Sequence, residues 1–325
     1  MTPGKFIFKQ YGEPEVLTWI NQEFSAAGEG EVLVRHEAIG VDFIDVLMRS
    51  GKMRPALPSD LGFAAAGVVA ALGSNVRGLN VGDRVAYMCL SPGSYATHRV
   101  VPAARVFRLP NQSMDARLAA GALFRGLTAW YLATRLRPIN PEDVVLVHAA
   151  AGGVGQILLQ WLQLLGARVV ATVSTDEKAA VVRSLGCEDV VVFPRESFLD
   201  KVLQVSDGKG AHVVYESIGK ATFSESMAAA RRFGLIASYG WPSGDPDAVE
   251  LSSLRGQSLF ITRPTVTQYT AEPADFQEAC TALFQRVDDG RLKISVGAEF
   301  PLARAAHAHE ALEGGGTTGS VVLVL

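Results

Sequence analysis

The chain has 325 residues, of which 48% are hydrophobic and 19% charged, and its formal net charge is −3. This length allows two domains with a large core, and the mixed charges argue against a dedicated nucleic-acid surface. The three cysteines (Cys89, Cys187 and Cys280) are too scattered for a disulfide framework, which favours a reducing compartment.

The N-terminus shows no apolar run typical of a signal peptide. No stretch approaches the ~20 uncharged apolar residues that a membrane helix requires. The sequence therefore predicts a cytoplasmic protein with no membrane contact.

Residues 1–123 contain short strand candidates separated by Gly- and Pro-containing turns. The candidates are Lys5–Lys9, Glu31–Arg35, Ala65–Gly73 and a strand that follows the turn at Gly78–Asp83. This pattern predicts a β-rich, barrel-like domain. Phe43–Arg49 is the expected short helix.

From residue 124 the pattern changes, because a helix over Leu118–Ala133 and a break at Pro138–Pro141 precede alternating strands and helices. The predicted strands are Val169–Val173, Asp189–Phe193, Val213–Tyr215, Leu235–Tyr239 and Leu259–Thr262. The predicted helices are Thr175–Leu185, Phe198–Val205 and Phe223–Arg232. Such alternation predicts an α/β fold with a doubly wound parallel sheet and a ligand crevice at the strands' carboxyl ends.

The stretch Val144–Gly155 combines a buried strand, a glycine-rich turn and the start of a helix that runs to Leu165. Glycines allow a close approach of the backbone, and the free N–H groups of the helix face a bound pyrophosphate. The stretch predicts a dinucleotide site. The alternative is an ordinary α/β crossover with a glycine turn.

The tail, residues 264–325, contains two predicted helices, Ala274–Gly290 and Ala303–Glu313, and a closing strand, Val321–Leu325. It is too short to form a separate domain, so we expect it to pack on the first one. The parallel-sheet domain would then be inserted into the other domain.

Four stretches, Phe43–Gly51, Gly126–Ala129, His148–Gly155 and Thr262–Pro264, together resemble the zinc-free quinone oxidoreductases, the zeta-crystallin branch of the medium-chain dehydrogenase/reductase superfamily. The resemblance implies a GroES-like catalytic domain (1–123 and 264–325), a Rossmann NADPH-binding domain (124–263) and a cleft between them. It implies NADPH-dependent, zinc-independent reduction of a quinone or another electron-poor small molecule. It also implies a homodimer paired at the strand around Leu259–Thr262.

The resemblance also implies residue roles. It assigns the following residues to NADPH binding: Phe43, Ile44, Thr128, Gly152, Gly153, Val154, Lys178, Tyr239, Gly240 and Arg263. The residues after the second strand add Ser174 to this set. Asp45 and Thr128 are the candidate catalytic residues, and Asp42, Leu47 and Met53 are expected to line the substrate pocket. The family commonly has tyrosine at positions 47, 53 and 193 and arginine at 315. Leu47 and Met53 would make the pocket more apolar, and Phe193 and Gly315 would weaken the NADPH preference.

The residues after the second strand agree with NADPH. An NAD site favours an acidic residue there, whereas this chain has Val173, Ser174 and Thr175, with Lys178 nearby. Asp176 argues against this interpretation. The alternative is that Ser174 and Thr175 only cap the following helix.

No residues show metal-ligand spacing, so no metal site is predicted. His148 is expected to be a satisfied histidine at a strand end, although contact with the cofactor is the alternative. Asp42 and Asp45 are expected to be a solvated pair, or else one of them orients water or substrate. Reducing a quinone needs no protein acid, because water can protonate the weakly basic oxyanion, so we predict no essential proton donor.

Two alternative functions remain open. One is NADPH-dependent reduction of activated C=C bonds in enals or enones. The other is a non-enzymatic protein that senses NADPH or binds RNA, but an RNA groove would need clustered basic and aromatic residues, and the sequence does not show them.

Overall fold

The computed structural model describes residues 2–325. The chain divides into two compact units. Unit 1 comprises Met1–Leu127 and Thr270–Leu325, and unit 2 comprises Thr128–Tyr269. The first boundary falls inside a single helix, so this helix contributes residues to both units.

The strands and helices are numbered in chain order. The first part contains β1 (Gly4–Phe8), β2 (Leu17–Asn21), β3 (Glu31–Val41), α1 (Phe43–Arg49), β4 (Ser59–Asp60), β5 (Ala64–Leu72), β6 (Arg84–Met88), β7 (His98–Pro102), β8 (Val106–Arg108) and α2 (Ala116–Thr134). The middle part contains β9 (Val144–Val147), α3 (Gly153–Leu164), β10 (Arg168–Val173), α4 (Asp176–Ser184), β11 (Val190–Val192), α5 (Phe198–Val205), β12 (Ala211–Glu216), α6 (Phe223–Ala229), β13 (Ala230–Ser238), β14 (Phe260–Thr262) and α7 (Val266–Tyr269). The last part contains α8 (Pro273–Asp288), β15 (Val296–Pro301), α9 (Ala305–Glu313) and β16 (Ser320–Val324).

Unit 1 is β-rich, as the sequence predicted. Its larger sheet has the order β15-β16-β3-β5-β6-β8, and β7 also pairs with β3. A smaller sheet has the order β2-β1-β4. The C-terminal strand β16 is antiparallel to β3, with Val321 opposite Val41. The tail therefore returns to the first part of the chain.

Unit 2 contains a six-stranded sheet with the order β11-β10-β9-β12-β13-β14. All of its strand pairs are parallel. The strand order reverses between β9 and β12. This reversal is the point at which open α/β sheets bind ligands, outside the carboxyl ends of the strands.

The sequence explains why these strands lie inside unit 2. The side chains of β9 and β11 are all buried, as expected for parallel strands covered on both faces by helices. Phe198 and Val202 of α5 pack into the same apolar cluster as Leu146 and Val191. This packing holds the carboxyl ends of the strands in fixed positions.

The structure corrects some predicted boundaries. The helix predicted over Phe223–Arg232 ends at Ala229, and Arg231 and Arg232 belong to β13. Ala230 pairs with Ala211 of β12, so sheet pairing overrides the helical pattern there. The strands β2, β7, β8 and β15 were not predicted.

Within residues 2–325, none of the helices is both long enough and apolar enough to span a lipid bilayer.

Candidate functional site

The glycine turn lies between β9 and α3. Gly152 is the N-cap residue of α3, and no side chain caps this helix end. The first N–H groups of the twelve-residue helix thus remain available for an anion. Ala149 in the turn has a φ of 49°, a left-handed conformation that is uncommon for a residue with a side chain.

Gly155 is required by close packing. A Cβ atom at this position would lie 2.4 Å from the carbonyl oxygen of Ala149 and 2.7 Å from the Cα of Ala150. At Gly152 the corresponding distance to the Ala149 oxygen is 3.2 Å. These distances show that the turn packs tightly against the start of α3. Close helix–strand packing is the role of the third glycine in a pyrophosphate-binding turn, so the residues present fit a dinucleotide.

The junction between β10 and α4 carries the predicted 2′-phosphate residues. Lys178 Nζ donates a hydrogen bond to Ser174 Oγ at 3.1 Å. Thr175 is the N-cap residue and accepts the backbone N–H of Lys178 at 3.3 Å. The capping alternative therefore holds for Thr175, whereas Ser174 contacts the lysine ammonium group instead.

Asp176, the acidic residue at this junction, is engaged by an arginine that the sequence analysis did not identify. Arg195 Nη1 and Nη2 donate to the two carboxylate oxygens of Asp176 at 2.8 and 2.7 Å. The guanidinium lowers the pKa of the Asp176 carboxyl. The negative charge of Asp176, which would disfavour NADPH, is therefore paired with Arg195.

His148 follows β9 and is fully buried. Its Nδ1 lies 2.9 Å from Thr172 Oγ1, and its Nε2 lies 2.9 Å from Ser226 Oγ. Burial lowers the pKa of His148. The prediction of a satisfied histidine is confirmed, because both ring nitrogens have protein partners.

Glu216, the last residue of β12, is a fully buried acceptor that the sequence analysis missed. Its carboxylate accepts the backbone N–H groups of Ile218 and Gly219 at 2.7 and 3.0 Å. It also accepts the hydroxyls of Thr222 at 2.9 Å and Ser226 at 2.6 Å. Glu216 therefore fixes the loop that leaves β12 beside the β9 turn.

Three further predicted residues follow the next strands of the sheet. Tyr239 and Gly240 follow β13, and the Tyr239 N–H donates to Glu216 O at 2.9 Å. Arg263 follows β14, where its guanidinium lies 4.1 Å from the ring centre of Trp241 and 2.7 Å from Asp245 Oδ1.

In unit 1, α1 carries several of the other predicted residues. Phe43 and Ile44 form its first turn and are half-buried, whereas Leu47 is 4% exposed. Met53 is half-buried, and its backbone N–H donates to Leu47 O at 2.8 Å. Thr128 lies in α2 and is buried.

The solvated-pair interpretation of Asp42 and Asp45 is wrong, because their exposed fractions are only 5% and 0%. Asp45 Oδ2 accepts the Asp42 N–H at 3.0 Å, and Oδ1 accepts the Gly62 N–H at 2.9 Å. Arg125 Nη2 lies 3.2 Å from Asp42 Oδ1. Burial, and secondarily the charge of Asp42, raises the pKa of Asp45 to about 7.

A series of hydrogen bonds connects Asp45 to α9, the last helix of the chain. The Tyr95 hydroxyl lies 3.4 Å from Asp45 Oδ2 and 3.0 Å from His309 Nε2. His309 is fully buried, and burial lowers its pKa to about 3. This neutral histidine can donate to the tyrosine oxygen while the tyrosine donates to Asp45.

Comparisons with known proteins cover nearly the whole chain. A family model described as zinc-binding dehydrogenase matches residues 153–285, and one described as alcohol dehydrogenase GroES-like domain matches residues 28–111. A 2-haloacrylate reductase of Burkholderia sp is 39% identical over 98% of both chains. A quinone oxidoreductase of Pseudomonas aeruginosa is also 39% identical over 98% of both.

Among solved structures, quinone oxidoreductase of Escherichia coli complexed with NADPH matches with a TM-score of 0.95. It is 36% identical, and the match covers 99% of this chain and 100% of that chain. The chain belongs to the quinone oxidoreductase family of the medium-chain dehydrogenase/reductase superfamily.

The fold class predicted from sequence is confirmed for this quinone oxidoreductase family member, with a GroES-like domain and a Rossmann-like parallel sheet. In unit 2, most of the predicted cofactor residues follow the carboxyl ends of neighbouring strands and therefore lie along one edge of the sheet. These are Gly152, Gly153, Val154, Ser174, Lys178, Tyr239, Gly240 and Arg263. Asp42, Phe43, Ile44, Asp45, Leu47 and Met53 form a second group around α1 in unit 1.

Sequence patterns did not reveal Arg125, Tyr95, His309 and Arg195, whose partners lie far along the chain, or Glu216, whose side-chain hydrogen-bond partners lie within ten positions. The signal for Glu216 in the sequence was an acidic residue directly after the predicted strand Val213–Tyr215. Across the part of the chain that the structure describes, no group of three or more His, Cys, Asp or Glu side chains could hold a metal ion.

Proposed function

We propose that this protein is an NADPH-dependent, zinc-independent quinone oxidoreductase. The observation that carries the proposal is the uncapped N-terminus of α3 beside a β10–α4 junction that presents Ser174 and Lys178. The quinone oxidoreductase relatives and the NADPH complex of the Escherichia coli protein support the same reaction. When bound, NADPH supplies the hydride that reduces the quinone.

In this proposal, each group of residues binds one part of the coenzyme. The backbone N–H groups at Gly152, Gly153 and Val154 hold the pyrophosphate, and Ser174 with Lys178 holds the 2′-phosphate. The residues assigned to the nicotinamide end are Phe43, Ile44, Thr128, Tyr239, Gly240 and Arg263. Asp42, Leu47 and Met53 are the proposed substrate-pocket residues.

Asp45 and Thr128 were the candidate catalytic residues. The carboxylate of Asp45 is fully buried and is used by the backbone N–H groups of Asp42 and Gly62. We therefore propose that Asp45 positions α1, and that water protonates the reduced quinone. The contribution of Thr128 is to orient the nicotinamide.

The test is the oxidation of NADPH and NADH with a panel that contains 1,4-benzoquinone and substituted naphthoquinones. We expect a higher kcat/KM with NADPH and turnover with at least one quinone. A strong preference for NADH would contradict the role of Lys178, and the absence of quinone turnover would contradict the proposed reaction.

The second candidate function is the reduction of activated C=C bonds, because a 2-haloacrylate reductase is as similar to this chain as the Pseudomonas quinone oxidoreductase is. Leu47 and Met53 would suit a small apolar acceptor. Assays with an alkenal, an enone and 2-chloroacrylate under NADPH discriminate between the two functions. A kcat/KM for any of these above that for all quinones would favour the alternative.

The proposed zinc independence has a direct test. Elemental analysis of the purified protein should find less than one zinc per chain, and quinone reduction should survive dialysis against a chelator. Loss of activity that zinc restores would contradict it.

We also propose a homodimer paired through β14. This strand is the last in the sheet order, and Phe260 on it is 61% exposed, a combination that invites pairing with another chain. Analytical ultracentrifugation should show a dimer that Phe260→Lys weakens. A wild-type monomer at micromolar concentration would contradict the proposal.

Residues 1–123 and 264–325 are proposed as the catalytic domain and residues 124–263 as the NADPH-binding domain. The proposed location is the cytoplasm, and cell fractionation tests it. The non-enzymatic alternative, NADPH sensing or RNA binding, would require salt-sensitive retention of RNA in a gel shift. The net charge of −3 does not favour such binding.

A further inference from the structure

The pair formed by Asp176 and Arg195 lies at the proposed ribose end of the coenzyme site. Asp176 is the first residue of α4, directly after the N-cap residue Thr175. The two side chains are 66% and 58% exposed and form an end-on, two-bond ion pair. Such a planar fork fixes the orientation of the guanidinium as well as its distance.

The loop that carries Arg195 is held against the end of β10. The Phe193 N–H donates to Val173 O, the last carbonyl of β10, at 2.9 Å. The Glu196 carboxylate accepts the Val192 N–H at 3.1 Å, and the Glu196 N–H donates to Val192 O at 2.9 Å. These backbone hydrogen bonds hold the segment that carries Arg195 at the end of β10, whose last residue, Val173, directly precedes Ser174.

The Arg195 guanidinium keeps hydrogen-bonding capacity after these contacts. It has five N–H donors. Two of them contact Asp176, and Nη2 also contacts Glu196 Oε1 at 3.3 Å. Among the described residues, the Nε–H has no acceptor, and more than half of the side chain is open to solvent.

Asp176 and Arg195 follow β10, the second strand of the domain, and the residues there determine whether NADPH or NADH binds more tightly. A free carboxylate there accepts the ribose hydroxyls of NAD and repels a 2′-phosphate, whereas a nearby arginine accommodates the phosphate. Here the carboxylate is paired, the cation is exposed, and Phe193 contributes no polar group. Lys178 provides a second cation at the same junction.

We propose that Arg195 is a specificity-determining residue, whose guanidinium, oriented by Asp176, contacts the 2′-phosphate and selects NADPH over NADH. This inference rests on the proposed use of NADPH. In this proposal Arg195 supplies a cation for the 2′-phosphate, for which Phe193 has no hydroxyl group and Gly315 has no side chain. Asp176 acts here as the positioning residue for Arg195 and not as a ribose ligand.

The test measures coenzyme binding by fluorescence titration, without any acceptor, for the full-length wild type and its variants. NADPH and NADH differ only in the 2′-phosphate. Arg195→Ala should raise the Kd for NADPH about tenfold or more and the Kd for NADH less than twofold, as expected for the loss of one charge-assisted contact. The fragment 2′,5′-ADP, which lacks the nicotinamide, should lose affinity in parallel.

Three further variants sharpen the result. Arg195→Lys keeps the charge but not the fork, and should retain part of the NADPH affinity. The double variant Asp176→Asn/Arg195→Ala should bind NADPH more tightly than Arg195→Ala, because the unpaired carboxylate is gone, but still more weakly than the wild type. Arg291→Ala removes a matched exposed arginine, which pairs with Asp289 at 2.8 Å in unit 1, and should change neither Kd.

Several outcomes would overturn the inference. One is that Arg195→Ala changes the Kd of both coenzymes equally, or changes neither. Another is that the double variant fully recovers the affinity for NADPH, which would show that Arg195 only cancels the charge of Asp176. A lysine variant as weak as the alanine variant would also count against it. Wild-type protein that binds neither coenzyme would overturn the proposed function itself, whereas quinone reduction whose KM for NADPH is unchanged in Arg195→Ala would overturn the inference alone.

Discussion

The carboxylate of Asp45 accepts the backbone N–H of Gly62 at 2.9 Å and so joins α1 to the segment that precedes β5. Gly62 has a φ of +80°, and a Cβ atom there would lie 2.6 Å from the ring of Tyr95. The same ring carries the hydroxyl that lies near Asp45 and His309. This buried cluster holds the first turn of α1, where Phe43 and Ile44 are predicted to face the coenzyme.

Removal of the Asp45 carboxylate should lower activity moderately. Asp45→Ala leaves the N–H groups of Asp42 and Gly62 without their acceptor, so we expect a loss of about 1–3 kcal/mol in the free energy of unfolding. The matched control is Asp200→Ala, which removes an exposed aspartate at the same position of α5. A fall in kcat/KM beyond about a thousandfold, with folding retained, would indicate that Asp45 is a general acid or base after all.

The buried Asp45 should also make stability depend on pH. Its folded pKa of about 7 lies above the ordinary value of 3.8, so the folded protein binds the proton more tightly than the unfolded chain. The associated stability is fully present below pH ~4 and is lost as the pH rises through ~7. Between pH 5 and 8 the wild type should lose about 3 kcal/mol relative to Asp45→Asn.

Urea unfolding of both proteins at several pH values between 5 and 8 measures this difference, and titration of the buried histidines cancels in the comparison. If the two proteins show the same pH dependence, Asp45 is ionised throughout this range.

Gly155→Ala should damage the dinucleotide site more than Gly152→Ala or Gly256→Ala does. Its Cβ would lie 2.4 Å from a backbone oxygen, and the turn around Ala149 is already in a left-handed conformation. Such overpacking costs about 1–3 kcal/mol, and NADPH affinity should fall with it. Gly152→Ala, at 3.2 Å, should be milder, and Gly256→Ala, with no atom within 4 Å, is the neutral control. Equal melting temperatures for all three variants would contradict this ranking.

Lys178→Ala should raise the KM for NADPH about tenfold, because a charge-assisted contact with the phosphate is lost. The KM for NADH should change little, and Lys178→Arg should retain most of the NADPH preference. Steady-state kinetics with both coenzymes and one quinone provide the measurement. Parallel changes for NADPH and NADH would assign Lys178 to the structural contact with Ser174 alone.

Glu216→Gln tests the acceptor that fixes the loop after β12. Glutamine replaces one carboxylate oxygen by an amide nitrogen, which cannot accept. Either the N–H groups of Ile218 and Gly219, which are bound to Oε1, or the Ser226 hydroxyl, which is bound to Oε2, then loses its acceptor. We expect a loss of about 1–3 kcal/mol in stability together with a raised KM for NADPH, since the loop that Glu216 holds is tied to the end of β9, where Ser217 Oγ donates to His148 O at 3.1 Å. Glu188→Gln, at an exposed position, should be silent in both measurements, and an equal effect of the two substitutions would refute the assignment.

Much of unit 2 could be predicted from the sequence. Apolar runs such as Val144–Val147 mark parallel strands because both of their faces are covered, and the glycine turn and α3 follow at once along the chain. The helix Phe43–Arg49 was predicted with the bounds that the structure has. Edge and short strands, such as β7 and β15, were missed, because half-buried segments of this kind carry a weak pattern.

The sequence by itself determined the parallel sheet, the glycine turn and the candidate phosphate residues, since each depends on residues that are neighbours along the chain. Only the tertiary structure decided how Asp42 and Asp45 are used, because Arg125, Gly62 and Tyr95 reach them from distant positions. Tyr95 and His309 are 214 positions apart, and Asp176 and Arg195 are 19 apart. Burial and charge pairing act through space, so Asp42 and Asp45, which the sequence places in solvent, are buried at the start of α1, and Asp176 is paired with Arg195.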